Sequence, residues 1–379
     1  MLRPFFRRAL STASRGPGAA LQGPGGNLYV WGTVGPQLGM KVPAEVYGAY
    51  GGAKALLSPG GSVAPPLLNP HIGNVVSVMC RAERTLALTA DGSVYSWGAC
   101  GEFSLGHGDG VTSQATPRRV AALAGIHIVA ISAGDSSCAA LSQEGEVFTW
   151  GWGGSFFSGN GGLGHGDNVS QSAPALVEAL QGARVAAVSV GGGRDGAHML
   201  ALDREGRVWS WGAGEYGRCG NGKSSQPLPA RVEILEEAGG RFVSVAAGGA
   251  HSLAVREDGA LWAWGKSETG QLGLGPALVA DLHSFEEYPS RVLVEDSAGD
   301  EIAFNGRARQ VAAGASHSLA ITKDGGVWQW GLRAFLAPSR VPVAVTSGGK
   351  AAGESLPLVA AEVRFGGKKG GGGGGGGAQ

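Results

Sequence analysis

Five of the eight histidines recur in register. His198, His251 and His317 hold one position of a repeated pattern, and His107 and His165 each sit in a Leu-Gly-His-Gly-Asp loop. Imidazoles in such number are the usual inventory of a transition-metal site or of general acid–base chemistry. Four cysteines, Cys80, Cys100, Cys138 and Cys219, add soft ligands, but no C-x-x-C occurs and the spacing suits neither a zinc site nor a disulfide framework. They read as free, buried thiols in a reducing compartment. No phosphate-binding loop, G-x-S-x-G elbow or H-E-x-x-H helix is present. We therefore assign no catalytic residue, no metal and no cofactor from the sequence. Whether the histidines can meet depends on the elements that carry them.

Those elements follow from a spacing. Trp-Gly recurs at Trp31, Trp97, Trp150, Trp211, Trp264 and Trp330. Six positions before each of the last five lies an acidic residue followed by glycine: Asp91, Glu144, Glu205, Asp258 and Asp324. Seven positions further back stand Arg84, Ser137, His198, His251 and His317. This interval recurs five times without insertion, while the stretches between intervals vary from 40 to 53 residues. The rigid interval predicts a β-hairpin. In His251–Val255 and Ala260–Trp264 small and apolar residues alternate, and Asp258-Gly259 between them is turn chemistry, because glycine reaches positive φ cheaply. The elastic stretches hold a second strand pair, such as Pro229–Val232 and Phe242–Val245. Four short strands per unit cannot bury both of their faces alone, so the units must stack. Stacked units set equivalent positions around a ring, so His198, His251 and His317 cannot converge on one metal. They read as structural groups bonding to backbone within their own unit, with His107 and His165 bracing loops. Trp97, Trp150, Trp211, Trp264 and Trp330 read as core.

The segments from Gly191 (GGGRDGAHMLALDREGRVWSWG), Ala246 (AAGGAHSLAVREDGALWAWG) and Ala312 (AAGASHSLAITKDGGVWQWG), with the LGHGD loops at Leu105 and Leu163, resemble repeats of the regulator of chromosome condensation family. The resemblance runs from about residue 28 to 365. It implies an all-β propeller of four-stranded blades, six or seven in number, closed by strands from both termini. Five units are complete. Leu28–Trp31 reads as a lone last strand, and strands around 341–345 and 358–365 follow the fifth unit, where a third strand is missing. The implied organisation is a transit peptide at 1–20, the propeller at 27–366 and a glycine-rich tail at 367–379.

Residues 1–20 carry Arg3, Arg7, Arg8 and Arg15 interleaved with Leu2, Phe5, Phe6 and Leu10, and the first acidic residue is Glu45. An arginine-rich, serine-containing, acid-poor start is the profile of a mitochondrial transit peptide, and the expected address is the matrix. The chain has 30 basic and 30 acidic residues, and that balance leaves room for only limited direct RNA contact. No apolar run is long enough for a membrane span. Outside the repeat phase, Trp152, Phe156 and Phe157 lie in a glycine-rich insertion and are candidate partner anchors. The stretches 47–69 and 276–288 read as further loops. By resemblance, mitochondrial relatives act in mitoribosome biogenesis, RNA processing or respiratory-complex assembly, so a protein-binding scaffold is expected, with mitoribosomal or respiratory-complex proteins as partners. The alternative is guanine-nucleotide exchange on a small organellar GTPase. The resemblance would then give GTPase contacts to Asp135, Asp195 and His251. The match is imperfect, because Ser137 stands where a histidine would follow Asp135.

Overall fold

Each rigid interval folds as the hairpin its residues predict, and each hairpin becomes the middle of a four-stranded antiparallel sheet. The computed structural model describes residues 25–33, 63–81, 84–99, 103–154, 161–193, 196–222, 224–274, 284–295, 301–303, 308–331 and 335–340. The chain opens with β1 (Tyr29–Thr33) and β2 (Val63–Leu68), which pair antiparallel. The first blade is β3 (Val75–Arg81), β4 (Arg84–Thr89), β5 (Val94–Ala99) and β6 (Ser113–Arg119). The second is β7 (Ile128–Ala133), β8 (Ser137–Ser142), β9 (Val147–Gly151) and β10 (Gln171–Leu176). The third is β11 (Val185–Gly193), β12 (Gly196–Asp203), β13 (Val208–Gly212) and β14 (Gln226–Arg231). The fourth is β15 (Phe242–Ala247), β16 (His251–Arg256), β17 (Leu261–Lys266) and β18 (Phe285–Arg291). A small hairpin, β19 (Leu293–Glu295) with β20 (Glu301–Ala303), precedes the fifth: β21 (Ala308–Ala313), β22 (His317–Thr322), β23 (Val327–Gly331) and β24 (Phe335–Arg340). Strand order within each blade is the order in the chain. This is the all-β propeller expected from the repeat.

Three readings change. Leu28–Trp31 is not a lone last strand: β1 carries the Trp-Gly signature of a third strand and is followed by its own fourth strand, β2. Correspondingly, the stretches 47–69 and 276–288, read as loops, contain β2 and the start of β18. The reason is proline. All six fourth strands contain it (Pro65, Pro117, Pro174, Pro227, Pro289 and Pro338), and proline normally argues against a strand. Fourth strands form the edge of each sheet, where the missing N–H costs no ladder bond and blunts further pairing. The candidate strands at 341–345 and 358–365 lie outside the described residues.

The core is distributed over the seams between blades. Side chains alternate along a strand, so successive residues serve opposite seams. Cys138 and Ala140 pack with the first blade, whereas Ala139 and Leu141 pack with the third. The second, third and fourth blades are thereby covered on both faces, and β8, β12 and nearly all of β16 are buried along their length. On the other side of the first blade, Leu28 and Val30 pack on Trp97 and Tyr95.

Three of these seams carry a repeated polar latch. The loop after each third strand reaches over the next blade. The carbonyls of Ser104, Arg218 and Gln271 accept the indole N–H of Trp150, Trp264 and Trp330 at 3.2, 2.9 and 2.8 Å. The same carbonyls accept Cys138 Sγ, Ser252 Oγ and Ser318 Oγ. Two residues on, Gly106 and Gly220 hold φ of +76° and +81°, and a Cβ on either would come within 2.9 Å of the indole nitrogen. Only glycine fits there, which explains the Leu-Gly of the loop motif.

Ser318→Ala removes a hydroxyl that links two blades and leaves the His251 imidazole without its partner. Unfolding free energy is expected to fall by about 1–3 kcal/mol in urea denaturation. A loss as small as that of Ser113→Ala, at an exposed site, would show that the hydroxyl does not hold the seam.

Candidate functional site

The recurrent histidines are consumed by the seams. His198 Nε2 lies 3.0 Å from Ser252 Oγ and His251 Nε2 lies 2.9 Å from Ser318 Oγ, each serine belonging to the next blade. The expected partner was backbone within the same blade, and the bond instead crosses the seam. Each serine gives its one proton to a carbonyl, so the imidazole must be the donor through Nε2–H. That fixes the tautomer and leaves Nδ1 as a buried lone pair with no partner among the described residues. Burial holds His198 well below the ordinary histidine range and pushes His251 down to about 3. Both are therefore neutral. In the first blade Arg84 fills the same slot and spends its guanidinium on the carbonyls of Gly134, Asp135 and Ser137.

His107 and His165 brace their loops as expected. His107 Nε2 is 2.8 Å from Ser96 Oγ, and His165 Nε2 is 3.1 Å from Thr149 Oγ1. No group of three metal-binding side chains comes together among the described residues. Cys138 and Cys219 are buried, with Cys219 pushed up to about 12 by burial, whereas Cys80 is exposed and departs from the buried-thiol reading. Cys219 takes the place held by Leu105, Leu163 and Leu272 in the other loops.

Strand connectivity assigns the remaining candidates to one face. Turns between second and third strands, which carry the acidic-Gly pairs, lie at one end of every blade. Turns between first and second strands share the opposite end with the long loops between third and fourth strands. Asp135 and Trp152 belong to that opposite end in the second blade. Their chemistry differs from that of the seams. Asp135 is exposed and Trp152 is half-buried. The Trp152 N–H donates to the Ser136 carbonyl at 3.0 Å, and Ser104 Oγ donates to the same carbonyl at 3.2 Å.

The base of the insertion is equally well tied. Gly153 N–H donates to Ser170 Oγ at 3.1 Å, Gly161 N–H to Asn168 Oδ1 at 2.8 Å, and Gly162 N–H to the Gly153 carbonyl at 3.0 Å. Both ends of segment 155–160 are thus fixed together beside the Asp135 turn. Phe156, Phe157 and Asp195 lie outside the described residues. His251, offered by the resemblance as a partner contact, is fully buried, and its imidazole is withheld from the surface by the bond to Ser318. Two exposed apolar residues escaped the sequence reading: Val169, at the foot of the insertion, and Leu228, which packs against Gly166. A run of mixed small and polar residues hides them, and only the fold shows that they are uncovered.

Comparison with known proteins agrees with this architecture. The profile of the RCC1-like domain matches residues 27–336. The human E3 ubiquitin-protein ligase HERC2 is 34% identical over 76% of this chain and 6% of its own length. The Arabidopsis thaliana RCC1 domain-containing protein RUG3, mitochondrial, is 35% identical over 76% of this chain and 60% of its own. The chain thus spans less than two thirds of either relative. Among solved structures, Prp20p from Saccharomyces cerevisiae, which binds Gsp1p and histones, superposes with a TM-score of 0.57 at 20% identity, covering 88% of this chain and 89% of that one. At that identity it shows the fold alone.

The neutral histidines make stability depend on pH. Their folded pKa values lie below the unfolded value near 6.5. Below that pH the unfolded chain takes up protons that the folded chain refuses. Stability is therefore complete above pH 6.5 and is lost as pH falls from 6.5 towards 3, by up to about 1.4 kcal/mol per pH unit for each histidine. Urea unfolding at pH 7, 6 and 5 should show this slope, and His251→Gln should flatten it by about one proton. An unchanged slope would mean that His251 titrates normally.

Proposed function

The chain belongs to the RCC1-like domain family, and from that membership we propose that it is a non-catalytic, protein-binding scaffold of the mitochondrion that joins or helps assemble a large organellar complex. The observation that carries the reading is the cluster at the loop end of the second blade. There Asp135 is exposed and Trp152 is half-buried, and the carbonyl of Ser136, next to Asp135, accepts the Trp152 backbone N–H and Ser104 Oγ beside the clamped base of the insertion. Such a cluster is rigid, amphipathic and surface-facing, as a protein-binding anchor needs to be. The seam histidines are occupied in holding blades together and offer neither a general base nor a metal ligand. Phe156 and Phe157 would extend the anchor.

The mitochondrial part rests on the arginine-rich first twenty residues and on the 35% identity to mitochondrial RUG3. Proteins of the mitoribosome or of a respiratory complex are the proposed partners in the matrix. Direct RNA contact is limited by equal numbers of acidic and basic residues. A second reading is favoured by the exposure of Asp135: exchange of guanine nucleotide on a small organellar GTPase, with Asp135 and Asp195 facing it. Prp20p, of like fold, binds Gsp1p. In that reading His251 acts through the turn it supports, since its ring is buried.

Affinity capture of the tagged full chain from isolated mitochondria, followed by sedimentation, tests the proposal. The scaffold reading expects co-migration with ribosomal particles or a respiratory complex, reduced at least tenfold by Trp152→Ala and by Asp135→Ala without loss of folding. Recovery of a GTPase released by added GTP would favour exchange instead. Capture that neither substitution alters would place the partner elsewhere on the molecule and overturn the site.

A further inference from the structure

One seam lacks the links that its neighbours share. Between the first and second blades, Arg84 crosses to three carbonyls, and the Ser104 carbonyl takes Cys138 and Trp150. Between the third and fourth blades, His198 reaches Ser252, and the Arg218 carbonyl takes Ser252 and Trp264. Between the fourth and fifth, His251 reaches Ser318, and the Gln271 carbonyl takes Ser318 and Trp330. Between the second and third blades none of these links forms among the described residues. The slot residue is Ser137, whose buried hydroxyl has no partner among them. The position taken elsewhere by cysteine or serine is Met199, which has no proton to give. The indole N–H of Trp211 is buried and finds no acceptor among the described residues. The residue corresponding to Ser104, Arg218 and Gln271 is Gly162, and it lies at the end of the insertion.

What remains at this seam among the described residues is an apolar cluster around Leu163, Val190, Met199 and Trp211, with four hydrogen bonds: Gly166 N–H to the Pro227 carbonyl, Val185 N–H to the Gly145 carbonyl, Val190 N–H to Ser132 Oγ, and the exposed Arg204 to the Gln143 carbonyl. Apolar contact is non-directional, so it tolerates a small rotation of one blade against the next, whereas a bridged histidine–serine–carbonyl chain does not. Local opening begins where such links are fewest. Across the same seam the turn bearing Asp135 packs on β11: a Cβ on Gly134 would come within 2.9 Å of the Gly191 carbonyl.

We propose that the seam between the second and third blades is the joint at which this propeller opens, and that its opening sets how the Asp135 turn of the partner-binding face sits against the third blade. The second half of the statement rests on the reading of that face given above, while the first half stands without it. A partner bridging the Asp135 turn and the third blade would bias the joint, and the joint would in turn tune how well the face accepts a partner.

The test uses the free full-length chain and needs no partner, so its failure is separate from a failure of the capture experiment. Three seams contain amides that donate across them: Gly166 and Val190 at the proposed joint, Gly222 and Ala247 between the third and fourth blades, Gly249 and Val311 between the fourth and fifth. In native-state hydrogen exchange, Gly166 and Val190 should exchange at least tenfold faster than the other four. The double variant Ser137→His/Met199→Ser should slow them to the rate of the others. The reverse exchange, His198→Ser/Ser252→Met, should transfer fast exchange to Gly222 and Ala247, and it decides the matter if the first variant does not fold. Equal protection at all three seams in the natural chain, or unchanged rates at Gly222 and Ala247 in the reverse variant, would overturn the joint.

Discussion

The structure depends on one constraint: a small four-stranded sheet with two apolar faces has no stable existence alone. Each blade buries a tryptophan, and burial of one such large side chain contributes roughly 1.5–3 kcal/mol or more. That gain is available only if the neighbouring blade supplies a lid. The lid is the loop after the neighbour's third strand, whose glycine lies on the indole and whose carbonyl, for Trp150, Trp264 and Trp330, accepts its N–H. Apolar burial and polar satisfaction are thus met by the same short segment. This is why the Leu-Gly of the loop and the Trp-Gly of the hairpin recur together along the chain.

The constraint also divides the molecule into a conservative end and an adaptable one. The turn between second and third strands must close a hairpin in fixed register, so Asp91-Gly92 and its equivalents tolerate no insertion. The glycines there hold positive φ, and Asp91, Asp258 and Asp324 accept backbone or hydroxyl protons within the turn. The opposite end must only return a latch to the next blade. Between the end of a third strand and the latch, residues can be added without disturbing the core. The insertion after Trp152 uses that freedom, and its base is clamped because the latch resumes immediately after it at Leu163-Gly164.

Titratable groups divide in the same way. Inside, imidazoles are neutral donors whose protonation would strand a charge away from water. Outside, Asp258 is held at about 2 by Arg256 in an exposed ion pair that contributes little to stability. The described loop end of the second blade presents a half-buried Trp152 and an exposed Asp135.

Much of this was legible in the residues. The 13-residue interval determined the hairpins, because strand period and turn glycines are local properties. Five recurrences determined that the hairpins stack, because no such sheet can bury itself. The burial of Trp97, Trp150, Trp211, Trp264 and Trp330 followed from the same logic. Tertiary structure alone decided the rest. The proline-containing strands β2 and, in part, β18 read as loops until their edge position showed that a missing N–H costs nothing there. The histidines read as intrablade groups, because a sequence lists neighbours along the chain and cannot show that residue 251 faces residue 318 of the next blade. His251 left the surface for that reason. Asp135 and Trp152, 17 positions apart, became one site only through the Ser136 carbonyl. The unlatched seam needed both levels: residue types at 137 and 199 show which links are missing, but only the ring of blades shows that they belonged together.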